Sequence, residues 1–241
     1  MIDVHSHLLY GIDDGTRTID ESVTIISKLN NVGVKDIILT PHYINGSVYN
    51  SPKQNNLKLL KSLKEKLEVN NIDTNLYLGN EIYIDDMIYE LVKSKTISSL
   101  NNSKYLLIEI PMSGVYDKYY DIFLDLINKG YKVVLAHPER YYAFQKNFDL
   151  IYELIDIGVL LQCNVGSILG EYGKGAKKVM KRLLKEDLVF CFGTDIHRDK
   201  NDYNFLEKAK KKVSKYAENE KLKDLFYNNA LKIINDKEDK K

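Results

Sequence analysis

Apolar runs of strand length recur along the chain at 2–5, 36–40, 75–79, 105–110, 132–136, 159–163 and 188–193. Several of them, such as IILT, LLIEI and VVLA, are near-continuous rather than alternating. That is the pattern of a parallel sheet covered on both faces. Between the runs, apolar positions fall at helical spacing. Residues 21–31 place Val23, Ile26, Leu29 and Asn30 three to four apart, with Gly33 as a stop signal. Residues 51–70 open on Ser-Pro, a cap and first-turn pair, and carry Leu57, Leu60, Leu63 and Leu67. The same period recurs over 84–95, 117–129, 148–157 and 174–186, and two further helices are predicted near 203–218 and 221–235.

Strand and helix alternate throughout, with no Pro/Gly/Ser-rich linker. This predicts an α/β fold: a TIM-like, parallel (β/α)7 barrel of seven strands, forming a single domain over 1–235, with a charged tail at 236–241. A doubly wound open sheet is the alternative, because a linear pattern does not reveal closure.

Composition narrows the class. The chain has 241 residues, 44% hydrophobic and 29% charged, which excludes a disordered or collagen-like protein. With 35 basic and 34 acidic residues there is no bulk electrostatic case for nucleic acid. Two cysteines, Cys163 and Cys191, make no disulfide framework. The start, MIDVHSHLLYG, lacks the basic and apolar regions of a signal peptide, and no uncharged apolar run is long enough to cross a bilayer. A soluble, cytoplasmic protein without membrane insertion is expected; oligomeric state is not legible. Lysine accounts for 31 of the 35 basic residues and Trp is absent, the bias of an AT-rich coding sequence. The 18 tyrosines, including Tyr116, Tyr119, Tyr120, Tyr141 and Tyr142, are therefore assigned to helix faces and loops.

The chemistry lies at strand ends. All five histidines, His5, His7, His42, His137 and His197, sit at or just beyond the C-terminal end of a predicted strand. So do Glu81, Glu109 and Asp195. In a β/α barrel those ends converge on the face where active sites are built, and imidazole with carboxylate is a donor set for divalent transition metals. His5 and His7, two apart on a strand, point to one side and can share an ion. A lone His-x-His is weak, but Glu109 inside LLIEIP is stronger, because an unpaired buried carboxylate costs several kcal/mol. Eight candidate ligands, with Asp13 or Asp14 of GIDDG as another, exceed what one ion takes. Two or three bridged ions suit hydrolysis.

Three of the four arginines, Arg17, Arg140 and Arg198, lie beside the same motifs, which favours oxyanion recognition over mere pairing with site carboxylates. A cysteine phosphatase is excluded: its arginine position is Leu169 after Cys163 and His197 after Cys191. GEYGKGAKK lacks the GK[ST] ending of a P-loop and no G-x-S-x-G elbow exists; that stretch reads as a rim against an anionic substrate or a loop leading into the 174–186 helix.

DVHSH, GIDDG, TPHY, GNEIY, LLIEIP, AHPERY, CNVGSILGEYGKGAKK and GTDIHR, in this order and over nearly the whole chain, resemble a bacterial family of metal-dependent protein-tyrosine phosphatases. That family belongs to the polymerase-and-histidinol-phosphatase (PHP) superfamily and is encoded with capsule and exopolysaccharide genes of Gram-positive bacteria. The resemblance implies a distorted seven-stranded PHP barrel with a three-metal cluster, usually Mn2+, with Fe, Zn or Mg as alternatives. It implies His5, His7, Glu81 and Asp195 on one ion; Glu81, Glu109 and His137 on a second; Asp14, His42 and His197 on the third; and Arg140 and Arg198 on phosphate. The implied substrate is a tyrosine-phosphorylated protein, the C-terminal tail of a bacterial tyrosine kinase governing polysaccharide synthesis. The competing expectations are a histidinol-phosphate phosphatase, which would share every ligand, and a non-catalytic regulator of the kinase. An amidohydrolase is disfavoured, since its metal-bridging lysine has no counterpart at the end of LLIEI.

Overall fold

The computed structural model describes residues 1–112 and 117–236, with side chains described from 119 onward in the second stretch; Tyr116 and tail residues 237–241 lie outside them. The first half of the chain runs β1 (Ile2–Asp3), α1 (Ile19–Asn31), β2 (Asp36–Leu39), β3 (His42–Tyr43), α2 (Lys53–Val69), β4 (Asn75–Leu78), β5 (Glu81–Tyr83) and α3 (Ile88–Lys93). The second runs β6 (Tyr105–Glu109), α4 (Asp117–Asn128), β7 (Lys132–Ala136), α5 (Tyr142–Lys146), α6 (Asp149–Asp156), β8 (Leu160–Asn164), α7 (Gly173–Lys185) and β9 (Cys191–Gly193). Helices α8 (Phe205–Val213), α9 (Asn219–Lys223) and α10 (Asn229–Asn235) close it.

All pairings between strands are parallel, in the orders β1-β2-β4 and β3-β5-β6-β7-β8-β9. The sheet curls, because a bridge between Ser6 and Ile196 and the bond from Asp195 N to His5 O at 2.8 Å set the first strand beside the last. Two predicted strands are each broken in two. Pro41 follows Thr40 and has no N–H for the ladder, so the strand starting at Asp36 pauses and resumes at His42. The next strand pauses alongside it at Gly79 and Asn80, where Asn80 Nδ2 donates to Pro41 O at 3.0 Å and Ser98 N to Asn80 Oδ1 at 2.9 Å.

Alternation along each strand explains the continuous apolar runs. On β6, Leu106 and Ile108 pack outward against the helices, while Tyr105 and Leu107 face a second, inner core with Val4, Ile38, Val134, Cys191, Ala230 and Ile233. Both faces are dry, so both need apolar side chains. The same period places Glu109 on the inner face with Leu107, and Gln162 and Asn164 with Leu160 on β8. Helix α10 supplies Ala230 and Ile233 to that inner core.

Helix boundaries differ from the sequence pattern where caps decide them. Thr18 caps α1 by accepting from Glu21 N, and Glu21 Oε2 accepts from Arg17 N at 2.8 Å, so the helix starts at Ile19. Leu60, Leu63 and Leu67 of α2 are buried as expected, but Leu57 is exposed. The predicted last helix carries a π-helical stretch at Asp224–Asn228 between α9 and α10. Among the described residues no helix is long and apolar enough to cross a membrane. Cys163 and Cys191 are free, buried thiols, pushed upward by burial, as expected of packing residues.

Candidate metal centre

The five histidines and the carboxylates meet at one end of the sheet, although β1 ends before His5. His5 and His7 lie on an irregular segment held by Ser6, whose N–H bonds Thr40 Oγ1 at 3.0 Å. Their rings converge, with Nε2 atoms 3.1 Å apart. His5 Nδ1 donates to Gln162 Oε1 at 2.7 Å, since the Gln162 amide nitrogen is turned to Asn164 Oδ1. His7 Nδ1 donates to Asp13 Oδ2 at 2.8 Å. With both rings neutral, as a bound cation requires, the two Nε2 atoms are left as bare lone pairs; with no ion bound, protons on these rings supply the positive charge instead.

These two lone pairs face two carboxylate oxygens. Glu81 Oε2 stands 3.2 Å from each Nε2, and Asp195 Oδ1 3.5 and 3.4 Å from them. Four acceptors pointing at one another repel unless a cation sits between them. Donors about 2.0–2.2 Å from a tetrahedral ion stand roughly 3.3–3.6 Å apart, close to the spacing found. Glu81 Oε2 is buried without a hydrogen-bond partner, as is His42 Nδ1, and such orphans are rare without a missing ligand. The donor set fits a divalent ion on this structure's own geometry.

The other candidates surround this core. Glu81 Oε1 is 2.8 Å from His137 Nε2, and Glu109 Oε1 is 3.8 Å from it. His42 Nδ1 lies 3.1 Å from Glu81 Oε2 and 3.7 Å from Glu109 Oε2. Asp14 Oδ1 is 3.6 Å from His42 Nε2 and 3.3 Å from His197 Nε2. His197 Nδ1 donates to the Asp195 carbonyl at 2.9 Å, which turns its other nitrogen to Asp14. Groups able to hold an ion are His7, Asp14, His42 and His197; His5, His7 and Glu81; and His42, Glu81 and Glu109. The neighbours Asp13 and Asp14 are thus separated. The Asp13 side chain is buried and also accepts from Gly15 N and His42 N at 2.9 and 3.0 Å, while the Asp14 side chain is 50% exposed.

Electrostatics repeats the picture. Burial alone would raise the Glu81 carboxyl, but His5, His42 and His137 hold it well below the usual range. Burial and then the Glu81 charge push Glu109 up to about 8. Burial would lower His5, yet Glu81 and Asp195 outweigh it and carry it to about 9. Carboxylates this crowded need positive charge among them. His137 (φ 35°) and Asp195 (φ 53°) both adopt the left-handed backbone that non-glycine residues avoid. Gly15, the last residue of GIDDG, is required by contact: a Cβ there would stand 2.1 Å from His7 O.

Arg140 is placed differently from a free oxyanion receptor. Its Nη1 donates to Asp195 Oδ2 at 2.7 Å, and its guanidinium lies over the Tyr172 ring at 4.5 Å. Arg198 is exposed, with Nη1 to His197 O at 3.2 Å, and Arg17 is exposed as well. The sequence reading did not single out Gln162, Asn164 (Nδ2 to Asp195 Oδ2, 2.7 Å), Glu139 or Tyr172. Glu139 is buried and accepts from Asn164 N at 2.8 Å and Ser167 Oγ at 2.7 Å. Polar residues inside the apolar run LLQCN were the available signal, the same one that marked Glu109. Tyr141 is buried, its hydroxyl accepting from Ile110 N at 3.1 Å.

Fold and donor set define a metal-binding class of α/β protein with its candidate ligands at the C-terminal ends of curled parallel strands. A family profile described as capsular polysaccharide synthesis, CpsB/CapC, matches residues 1–235, and the chain belongs to that family. It is 33% identical over 237 residues to the putative tyrosine-protein phosphatase CapC of Staphylococcus aureus, covering 98% of this chain and 92% of that one. It is 31% identical over 241 residues to the tyrosine-protein phosphatase CpsB of Streptococcus pneumoniae, covering 98% and 99%. A crystal structure from work on YwqE of Bacillus subtilis and CpsB of S. pneumoniae, described as unique metal-dependent tyrosine phosphatases, matches with TM-score 0.92 at 31% identity over 99% of this chain and 96% of the other. A histidinol phosphate phosphatase of Lactococcus lactis shares the fold, at TM-score 0.60 and 16% identity over 90% and 93% of the two chains.

Proposed function

We propose that this chain is a metal-dependent phosphotyrosine-protein phosphatase acting in the cytoplasm on the tyrosine-phosphorylated tail of a kinase that controls capsule or exopolysaccharide synthesis. The observation carrying it is the convergence of bare imidazole nitrogens on orphaned Glu81 Oε2, in a chain of the CpsB/CapC family. The reading includes a single domain over 1–235 on a distorted seven-stranded barrel, supported by the Ser6–Ile196 bridge and the family match. It assigns His5, His7, Glu81 and Asp195 to one ion, Glu81, Glu109 and His137 to a second, and Asp14, His42 and His197 to a third, with Mn2+ as the metal.

Bound divalent ions would lower the pKa of water to make a nucleophile and would neutralise charge on the phosphoryl oxygens. The chain's own residues set up that chemistry. Gln162 and Asp13 fix the tautomers of His5 and His7, and such outer partners are typically worth 10–100-fold in metal affinity. Arg140, anchored by Asp195 and stacked on Tyr172, holds its remaining N–H groups at the mouth for phosphoryl oxygens, and exposed Arg198 can turn to the same group. Tyrosinate, with a pKa near 10, leaves without a strong general acid.

Arg140→Ala is expected to cut kcat/KM by roughly 10²–10³-fold, the scale for one lost oxyanion donor. Metal content, measured by inductively coupled plasma spectrometry, should stay near wild type; loss of metal in parallel would reduce Arg140 to a support for Asp195. The reading as a whole is tested by phosphate release from a phosphotyrosine peptide, a phosphoserine peptide and histidinol phosphate, after chelation and after adding back manganese, zinc or magnesium. Manganese-restored turnover preferring phosphotyrosine is the expected result. Turnover confined to histidinol phosphate would keep the site and overturn the substrate.

A further inference from the structure

We propose that the outer face of α7 is a docking surface for an acidic protein segment, namely carboxylate-rich sequence flanking the phosphotyrosine. This rests on the reading of the site as a phosphotyrosine-protein phosphatase. Helix α7 buries Ala176, Val179, Met180, Leu183 and Leu184, and its opposite face exposes Lys174, Lys178, Lys181, Arg182 and Lys185. The helix contains no Asp or Glu. Glu186, immediately beyond it, accepts from Arg182 Nε at 2.8 Å and from Tyr152 Oη at 2.5 Å.

A lysine-rich chain can carry lysine anywhere, so the arrangement matters more than the number. Several lysines elsewhere meet acids: Lys66 pairs with Asp20 at 3.3 Å, Lys208 with Asp202 at 2.7 Å and Lys200 with Glu171 at 2.8 Å. On α8, Lys210, Lys211 and Lys212, unpaired among the described residues, share their helix with Glu207. On α7, Lys174, Lys178, Lys181 and Lys185 have no acidic partner among the described residues. On a molecule of net charge +1, this face is a concentrated positive field.

Its position gives the field a use. Tyr172, under the Arg140 guanidinium, immediately precedes the helix, so the stripe starts at the mouth of the metal centre. At 1.5 Å per residue it runs about 20 Å down the outer wall, the reach of about six extended residues. A peptide with its phosphotyrosine at the centre can lay a flank along it. An anionic membrane is the poorer match, because every apolar residue of α7 but no cation apart from half-buried Lys177 is turned inward, leaving nothing to insert.

The test compares phosphotyrosine peptides carrying four glutamates on one side or the other with glutamine-flanked controls. Wild type is set against the Lys174→Gln, Lys178→Gln, Lys181→Gln, Lys185→Gln quadruple variant. In wild type one glutamate peptide should show a KM roughly tenfold below its control, as several exposed pairs would give. That advantage should vanish in the variant and in 0.5 M salt, the latter at a Debye length of about 4 Å. Turnover of p-nitrophenyl phosphate should not change. Equal KM values in wild type, or an advantage that survives the substitutions, would overturn the proposal. Retention of wild type alone on phosphatidylserine vesicles, with peptides indifferent, would also overturn it. Anisotropy of a fluorescein-labelled glutamate peptide reads docking without turnover, so inactivity on every phosphotyrosine peptide would sink the function and leave the docking face to be judged by binding.

Discussion

Glu81→Ala is expected to leave less than about one part in 10³ of the wild-type kcat/KM on a phosphotyrosine peptide. The protein should remain folded by circular dichroism. No other carboxylate here does as much: Oε1 lies 2.8 Å from His137 Nε2, and Oε2 is 3.1–3.2 Å from His42, His5 and His7. Removing it takes the shared negative charge from beneath four imidazoles and opens every proposed ion position but that of Asp14, His42 and His197. Metal content should fall together with activity. Glu81→Gln keeps the volume and separates lost charge from lost packing; it should be nearly as inactive. Activity within tenfold of wild type, assayed with manganese in excess, would remove Glu81 from the proposed ligand set.

Chelation should lower the melting temperature, and manganese should restore it. The native state holds acceptor lone pairs at 3.1–3.5 Å with carboxylates beside them, an arrangement the unfolded chain does not preserve. Ligand bound only by the folded state stabilises it by about 2.7 kcal/mol at a hundredfold excess over Kd. For a chain of this size that is a rise of roughly 5–10 °C. Differential scanning calorimetry across a manganese titration measures it directly. A melting temperature indifferent to both chelator and metal would mean that the cluster is held by protonated histidines instead.

Much of this site was legible in the sequence because parallel sheets impose a simple rule. Residues at the C-terminal ends of successive strands end up together, so His5, His42, Glu81, Glu109, His137 and Asp195 could be grouped without coordinates. The burial cost of a carboxylate singled out Glu109 inside LLIEIP. The same reasoning applied to LLQCN would have found Gln162 and Asn164, which are uncharged and cost less to bury, so their signal is weaker. Strand breaks at Pro41 and Gly79 were harder to see, since an apolar run persists on both sides of each pause.

The chain by itself determined the alternation of strand and helix, the two buried faces of the sheet and the set of candidate donor residues that the fold brings together. These are properties of periodicity and of side-chain chemistry, and both are local. Tertiary structure alone decided which candidate donors stand within reach of one another and which of two adjacent aspartates holds a histidine in place. It also decided that Arg140 is anchored to Asp195 and that α7 turns an uncompensated basic face outward beside the mouth. Those outcomes depend on distances of 3–4 Å between residues as many as 190 positions apart, such as His5 and Asp195. Only chain closure, through the bond from Asp195 N to His5 O, brings those atoms within range of one another.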